Sequence, residues 1–152
     1  MLAATLVACT SGSDDRAGPP APAPVPVITV TMLDHRFELD TPVPPGRVVF
    51  RFHNAGQAPH NVIMIPLAQD VPPIDVQLRG SERRQVEPFA GIYDRGPGDS
   101  GSFAVDLLPD QRYAVVCSLT AEDGEPHWMK GMVTEFRTSP IPAGATTPTS
   151  RP

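Results

Sequence analysis

Apolar and polar positions alternate with a period of two in several short stretches, and proline and glycine punctuate them. Residues 47–54 put Val48, Phe50 and Phe52 on one face and Arg47, Val49, Arg51 and His53 on the other, directly after the turn signal Pro44-Pro45-Gly46. That period marks a half-buried strand. Residues 102–107 repeat it with Phe103, Val105 and Leu107, and residues 131–138 set Met132, Thr134 and Phe136 against Val133, Glu135 and Arg137. Residues 27–31 form a β-branched run, residues 60–65 a further strand ended by Pro66, and residues 112–118 a continuous apolar run expected to be buried on both sides. Residues 67–101 contain Pro72-Pro73, Arg83-Arg84 and several glycines, and predict a long excursion with one short helix or strand. No stretch carries three turns of amphipathic helix. Short strands separated by Pro/Gly turns predict an all-β fold, a Greek-key antiparallel β-sandwich of about seven to eight strands.

Composition divides the chain. Of its 20 prolines, five fall in residues 9–26 and four in residues 139–152. The run Pro19-Pro20-Ala21-Pro22-Ala23-Pro24-Val25-Pro26 favours extended polyproline II, a semi-rigid spacer. The last residues, rich in Pro, Thr and Ala, show no periodic apolar pattern and predict a disordered tail. The expected organisation is a leader remnant at 1–8, a tether at 9–26, one folded domain at 27–138 and the tail at 139–152. Within 152 residues there is room for a single domain. Twelve Lys+Arg against 17 Asp+Glu give a net charge of −5, which argues against a partner bound through nucleic-acid phosphates. No run of 18 apolar residues is present to span a bilayer. The two cysteines, Cys9 and Cys117, are too few for a disulfide framework.

Met1–Ala8 is apolar, uncharged and ends in a small residue directly before Cys9. The segment Leu6-Val7-Ala8-Cys9 resembles the lipobox of bacterial lipoproteins, and the small polar run Thr10–Asp15 follows it as a tether would. The resemblance implies cleavage before Cys9, acylation of that residue, and an extracytoplasmic protein anchored to the bacterial cell membrane through its N-terminal lipid. Eight residues without a positive charge are short for a complete signal peptide, so the expected start of the leader lies upstream.

Four side chains invite metal chemistry: His60, Cys117, His127 and Met132. Two imidazoles, a thiolate and a thioether form the mixed donor set of a trigonal His2Cys copper site with a long axial Met. Their positions at strand ends are compatible with convergence at one pole of a sandwich. Here the chain resembles the plastocyanin-type cupredoxins. Asn54-Ala55-Gly56-Gln57-Ala58-Pro59-His60-Asn61-Val62 is similar to their first-ligand segment, Tyr113-Ala114-Val115-Val116-Cys117-Ser118 to their Cys-bearing strand, and the four residues between His127 and Met132 match their His–Met spacing. Leu108–Tyr113 resembles the lead-in to that strand, with Asp110 where glycine is usual. The likeness covers residues 27–138. It implies a mononuclear type 1 copper protein that exchanges single electrons with redox partner proteins as a monomer and is not an enzyme. It also implies a bond from the Asn61 side chain to the backbone beside Cys117, near Ser118. The chain departs from small electron carriers in its nine-residue loop between Cys117 and His127, which alters the rim and solvent access of the site.

Each residue also has an ordinary reading. His60 reads as a strand-edge histidine, Cys117 as a small buried hydrophobe, and Met132 as core packing. Met129 is a competing thioether and the alternative axial ligand. Tyr113 reads as a strand anchor through its hydroxyl or as core filler. Trp128 and Met129 read as an exposed docking patch or as packing for the long loop, and Glu122, Asp123 and Glu125 as a solvated face or an attraction for a basic partner. Two further functions stay open beside electron transfer: copper binding or delivery without redox turnover, and a metal-free structural module.

Overall fold

The structure is a computed structural model and describes residues 23–80 and 89–141. The expected leader with its acylated Cys9, most of the tether and all but the first residues of the tail lie outside the described residues. Among the described residues, eight strands and one short helix follow in chain order: β1 (Val27–Leu33), β2 (Arg36–Leu39), β3 (Gly46–Asn54), β4 (His60–Leu67), α1 (Ile74–Arg79), β5 (Ala90–Arg95), β6 (Ser100–Leu107), β7 (Arg112–Val116) and β8 (Val133–Arg137). They form two four-stranded sheets, ordered β2-β1-β3-β6 and β5-β4-β7-β8. The all-β sandwich expected from the alternation is therefore present, with one exception to its antiparallel pairing. β1 and β3 run parallel, with Val30 beside Phe52 and Met32 beside Asn54. Alternation alone does not distinguish the two directions, because a strand buries every second residue in either.

The inward residues of both sheets make one core. Val30, Met32, Val48, Phe50 and Phe52 from the first sheet meet Val62, Met64, Tyr113, Val115 and Phe136 from the second. Burying a large apolar side chain of this kind contributes about 1.5–3 kcal/mol, so this layer is the main source of stability. The Tyr113 ring stacks on Phe136, and its hydroxyl accepts the Leu108 amide at 2.9 Å, so it both fills the core and anchors its strand.

β7 is buried on both faces, as its continuous apolar run predicts. Tyr113, Val115 and the following Cys117 face the inner core, while Ala114 and Val116 join Ile65, Leu67 and Ile74 in a smaller outer cluster. Val71, Ile74 and Leu78, in and just before α1, pack on that outer face, and the described part of the excursion after β4 also holds a strand, β5, that pairs with β4. The excursion is strapped down by polar contacts. Glu135 accepts the Ile74 amide at 2.6 Å and pairs with Arg112 at 2.8 Å, and Arg112 also donates to the Val71 carbonyl at 2.9 Å.

Candidate metal centre

Three chain segments meet at one end of the sandwich: the β1–β2 turn, the β3–β4 turn and the segment between β7 and β8. The β3–β4 turn is organised by Asn54, which is fully buried at the end of β3. Its side-chain amide donates to the carbonyls of Ala58 and Arg95, each at 2.8 Å, and its oxygen accepts the Gly56 amide at 2.9 Å. A buried amide with these partners satisfied holds a turn in one shape. That turn delivers His60 to the first position of β4, with its side chain wholly inside.

Cys117 follows β7 directly and is fully buried; among the described residues it is the free cysteine. Continuing the Ile63–Val116 register of β4 and β7 places Asn61 opposite Ser118. The two are joined twice: the Ser118 amide donates to Asn61 Oδ1 at 2.9 Å, and Asn61 Nδ2 donates to Ser118 Oγ at 3.0 Å. The strand end that carries Cys117 is thus fastened to the one that carries His60.

The nine residues between Cys117 and His127 fold back on themselves. Thr120 bridges Pro126, the Ala121 amide donates to the Glu125 carbonyl at 2.8 Å, and the His127 amide donates to the Leu119 carbonyl at 2.8 Å. The insertion is therefore a small closed hairpin that returns His127 to the neighbourhood of Cys117. An ion pair between Asp123 and Lys130 ties the hairpin to the turn that follows. In that turn the His127 carbonyl accepts the amides of both Lys130, at 3.1 Å, and Met132, at 3.0 Å. Gly131, at φ +110°, reverses the chain in a conformation that disfavours a side chain. The four-residue spacing is thereby the length of one tight turn, and it sends Met132 into the inner core at full burial, beside Cys117 in the same cluster.

His60, Cys117 and His127 each offer a donor atom, and the three atoms lie within 4.8 Å of one another. His60 Nδ1 stands 3.1 Å from His127 Nδ1, which stands 3.5 Å from Cys117 Sγ. His127 is 3 % exposed and the other two are sealed from solvent. Burial pushes the Cys117 thiol above its ordinary value, because the thiolate loses its hydration. Burial, and next the nearby His60, hold His127 below the usual imidazole range, so it is neutral and its lone pair is available at pH 7. Two imidazoles and a thiol converging in a closed pocket have the donor chemistry of a copper site.

The remaining residues sort themselves around this group. Met129 is exposed, with its carbonyl accepting Arg79 at 3.2 Å. Trp128 is half-buried and packs against the outer cluster of Ile65, Leu67 and Val116. Glu122, Asp123 and Glu125 are exposed. A cavity of about 640 Å³ opens beside the hairpin and is lined by His35, Pro59, Leu119, Glu122 and His127 among others. Nothing in the hydrophobic pattern or the motifs singles out Asp34. It lies in the β1–β2 turn, where its carboxylate accepts the Gln57 and Ala58 amides and meets His60 Nε2 at 3.1 Å. Those amides, Gln57 first, hold its carboxyl below the ordinary value of 3.8.

Among solved structures, the chain is similar to reduced auracyanin from the photosynthetic bacterium Roseiflexus castenholzii, with 18 % identity, a TM-score of 0.53, and coverage of 78 % of this chain and 100 % of the other. It is likewise similar to auracyanin B, with 18 % identity, a TM-score of 0.50, and coverage of 80 % and 94 %. No protein-family model matches the chain, and no curated protein matches it in sequence. The likeness is one of fold: the two sheets match the β-sandwich of these cupredoxin-like neighbours. Among the described residues, no helix is long and apolar enough to cross a membrane.

Proposed function

We propose that this protein is a mononuclear type 1 copper electron carrier, tethered outside the cytoplasm through Cys9. The observation that carries the reading is the convergence of one donor atom each from His60, His127 and Cys117 within 4.8 Å in a buried pocket. Copper held there would supply one reversible one-electron couple. His60, His127 and the Cys117 thiolate would hold it, with the Met132 thioether as a fourth donor. Met132 is preferred over Met129 because it is buried in the cluster that contains Cys117, whereas Met129 is exposed.

The chain's own contribution is rigidity. The Asn61–Ser118 bonds, the Cys117 amide on the Met132 carbonyl at 3.1 Å and the His127 amide on Leu119 fix the donors before any metal arrives. A site whose ligands scarcely move between oxidation states loses little energy to reorganisation. His127 lines the cavity beside the hairpin and is the route by which an electron would reach a redox partner protein. In this reading the protein works as a monomer, binds no nucleic acid and is not an enzyme, because it changes no substrate. A second reading, copper delivery without redox turnover, is favoured by that same opening onto His127. Voltammetry separates the two: a reversible one-electron couple on the copper-loaded protein supports the carrier, and its absence supports delivery.

A further inference from the structure

The pocket has a feature that the ligand set does not require, a carboxylate behind one of its imidazoles. Asp34 Oδ1 lies 3.1 Å from His60 Nε2, while the other ring nitrogen, Nδ1, is the one 3.1 Å from His127 Nδ1. The contact is built from several sides. The Gln57 amide donates to both Asp34 oxygens at 3.0 Å and the Ala58 amide to Oδ1 at 3.2 Å, so the turn that introduces His60 also grips the carboxylate. Gly56 leaves the space it needs: a Cβ at that position would lie 2.4 Å from Asp34 Oδ1 and 2.9 Å from His60 Nε2. His60 itself is completely buried, so Asp34 is the partner that keeps Nε2 from being stranded without a hydrogen bond.

We propose that Asp34 is a positioning residue for the metal pocket, which keeps the His60 proton on Nε2, leaves Nδ1 as the donor, and biases the site toward the more highly charged Cu(II). An ionised carboxylate only accepts hydrogen bonds, so the imidazole facing it donates from Nε2 and directs its lone pair from Nδ1. A carboxylate behind a ligating histidine also raises the basicity of that ligand. Its negative charge favours the divalent over the monovalent ion. This inference rests on the copper reading for its second half, whereas its first half concerns the metal-free protein alone.

Two measurements test it. In the metal-free protein, imidazole nitrogen NMR is expected to find the His60 proton on Nε2, and Asp34→Ala is expected to release that preference. A wild-type proton on Nδ1, or an Asp34→Ala spectrum identical to wild type, overturns the positioning role whether or not copper binds. In the copper-loaded protein, Asp34→Asn keeps the shape and removes the charge. It is expected to weaken Cu(II) binding about tenfold while leaving Cu(I) binding nearly unchanged, the lower end of the range for outer contacts of metal ligands. For one electron that ratio raises the reduction potential by about 59 mV. Equal losses for both ions, with an unmoved potential, mean a merely structural contact and overturn the bias. Failure of wild-type protein to bind copper at all sinks the functional reading instead, and the NMR result then stands by itself.

Discussion

The amide of Cys117 donates to the carbonyl of Met132 at 3.1 Å, extending the β7–β8 ladder past the last assigned pair, Val116 with Val133. The cysteine and the methionine are therefore fixed to each other by backbone, independently of any metal. This relationship makes the choice of thioether donor testable. Met132→Gln is expected to keep a coloured copper site and lower its reduction potential, because an oxygen or nitrogen donor replaces a soft thioether that favours Cu(I). Met129→Gln, at an exposed position, is expected to change neither colour nor potential. Voltammetry of the two variants checks the assignment, and the reverse pattern makes Met129 the ligand.

Asn61 joins the two ligand-bearing strand ends through Ser118. Asn61→Ala removes both bonds to Ser118, whose exposed amide then turns to water, and is expected to cost about 0.5–1.5 kcal/mol of stability. Urea denaturation of the metal-free protein measures that loss. Copper affinity is expected to fall about tenfold at the same time, since an outer contact that orients a ligand is removed.

Gly56 is bare because the Asp34–His60 contact occupies the volume of a side chain. Gly56→Ala is expected to destabilise the domain by about 1–3 kcal/mol, the usual range for overpacking. A thermal melt reports it. Alanine at Gly124, which has open space around it but φ +84°, tests backbone strain alone and is the control for the steric effect.

Two titrations give the pH dependence its sign. Burial pushes the Cys117 thiol above 9.0, so metal binding at neutral pH must release that proton. Apparent copper affinity is expected to rise about tenfold per pH unit between roughly pH 7 and 9, as one proton is displaced per ion bound. A flat profile contradicts this. In the metal-free protein, the His127 contribution to stability is fully present above the ordinary histidine value of 6.5. As the pH falls below it, the unfolded chain takes up the proton first, and stability declines until the depressed folded value is passed. The thiol acts in the opposite direction: its contribution is present below 9.0 and is lost as the pH rises through the elevated folded value.

The strands that were legible in the sequence are those whose two faces differ. β3 and β6 alternate because each has one face on the core, and β7 reads as a continuous run because both its faces are covered. β2 has four residues and one buried side chain, Phe37, which is too little pattern to recognise. β5 is an edge strand with no fully buried residue, and its Tyr93 is 89 % exposed, so apolar character and burial part company there. The grouping of His60, Cys117 and His127 was suggested by residue type and order, because two histidines and a cysteine at strand ends have few structural reasons to recur together. Asp34 was not, since its place beside His60 depends on a parallel β1–β3 pairing and on a turn in which His35 adopts φ 68°. Asn54 left a faint signal, a polar residue at the end of an apolar strand, whose meaning emerged only with the turn that it holds. The long loop was visible as a departure in length. Its closure into a hairpin was not, because the bonds from Ala121 to Glu125 and from His127 to Leu119 involve backbone alone.

The most direct test of the account is titration of the purified metal-free protein with Cu(II), followed by visible absorption and EPR, beside the Cys117→Ser variant. One equivalent is expected to produce an intense blue or green thiolate-to-copper band in the wild-type protein and none in the variant. A wild-type protein that stays colourless at saturating copper, or a colour that survives the loss of the Cys117 sulfur, contradicts the copper pocket and the electron-transfer role built on it.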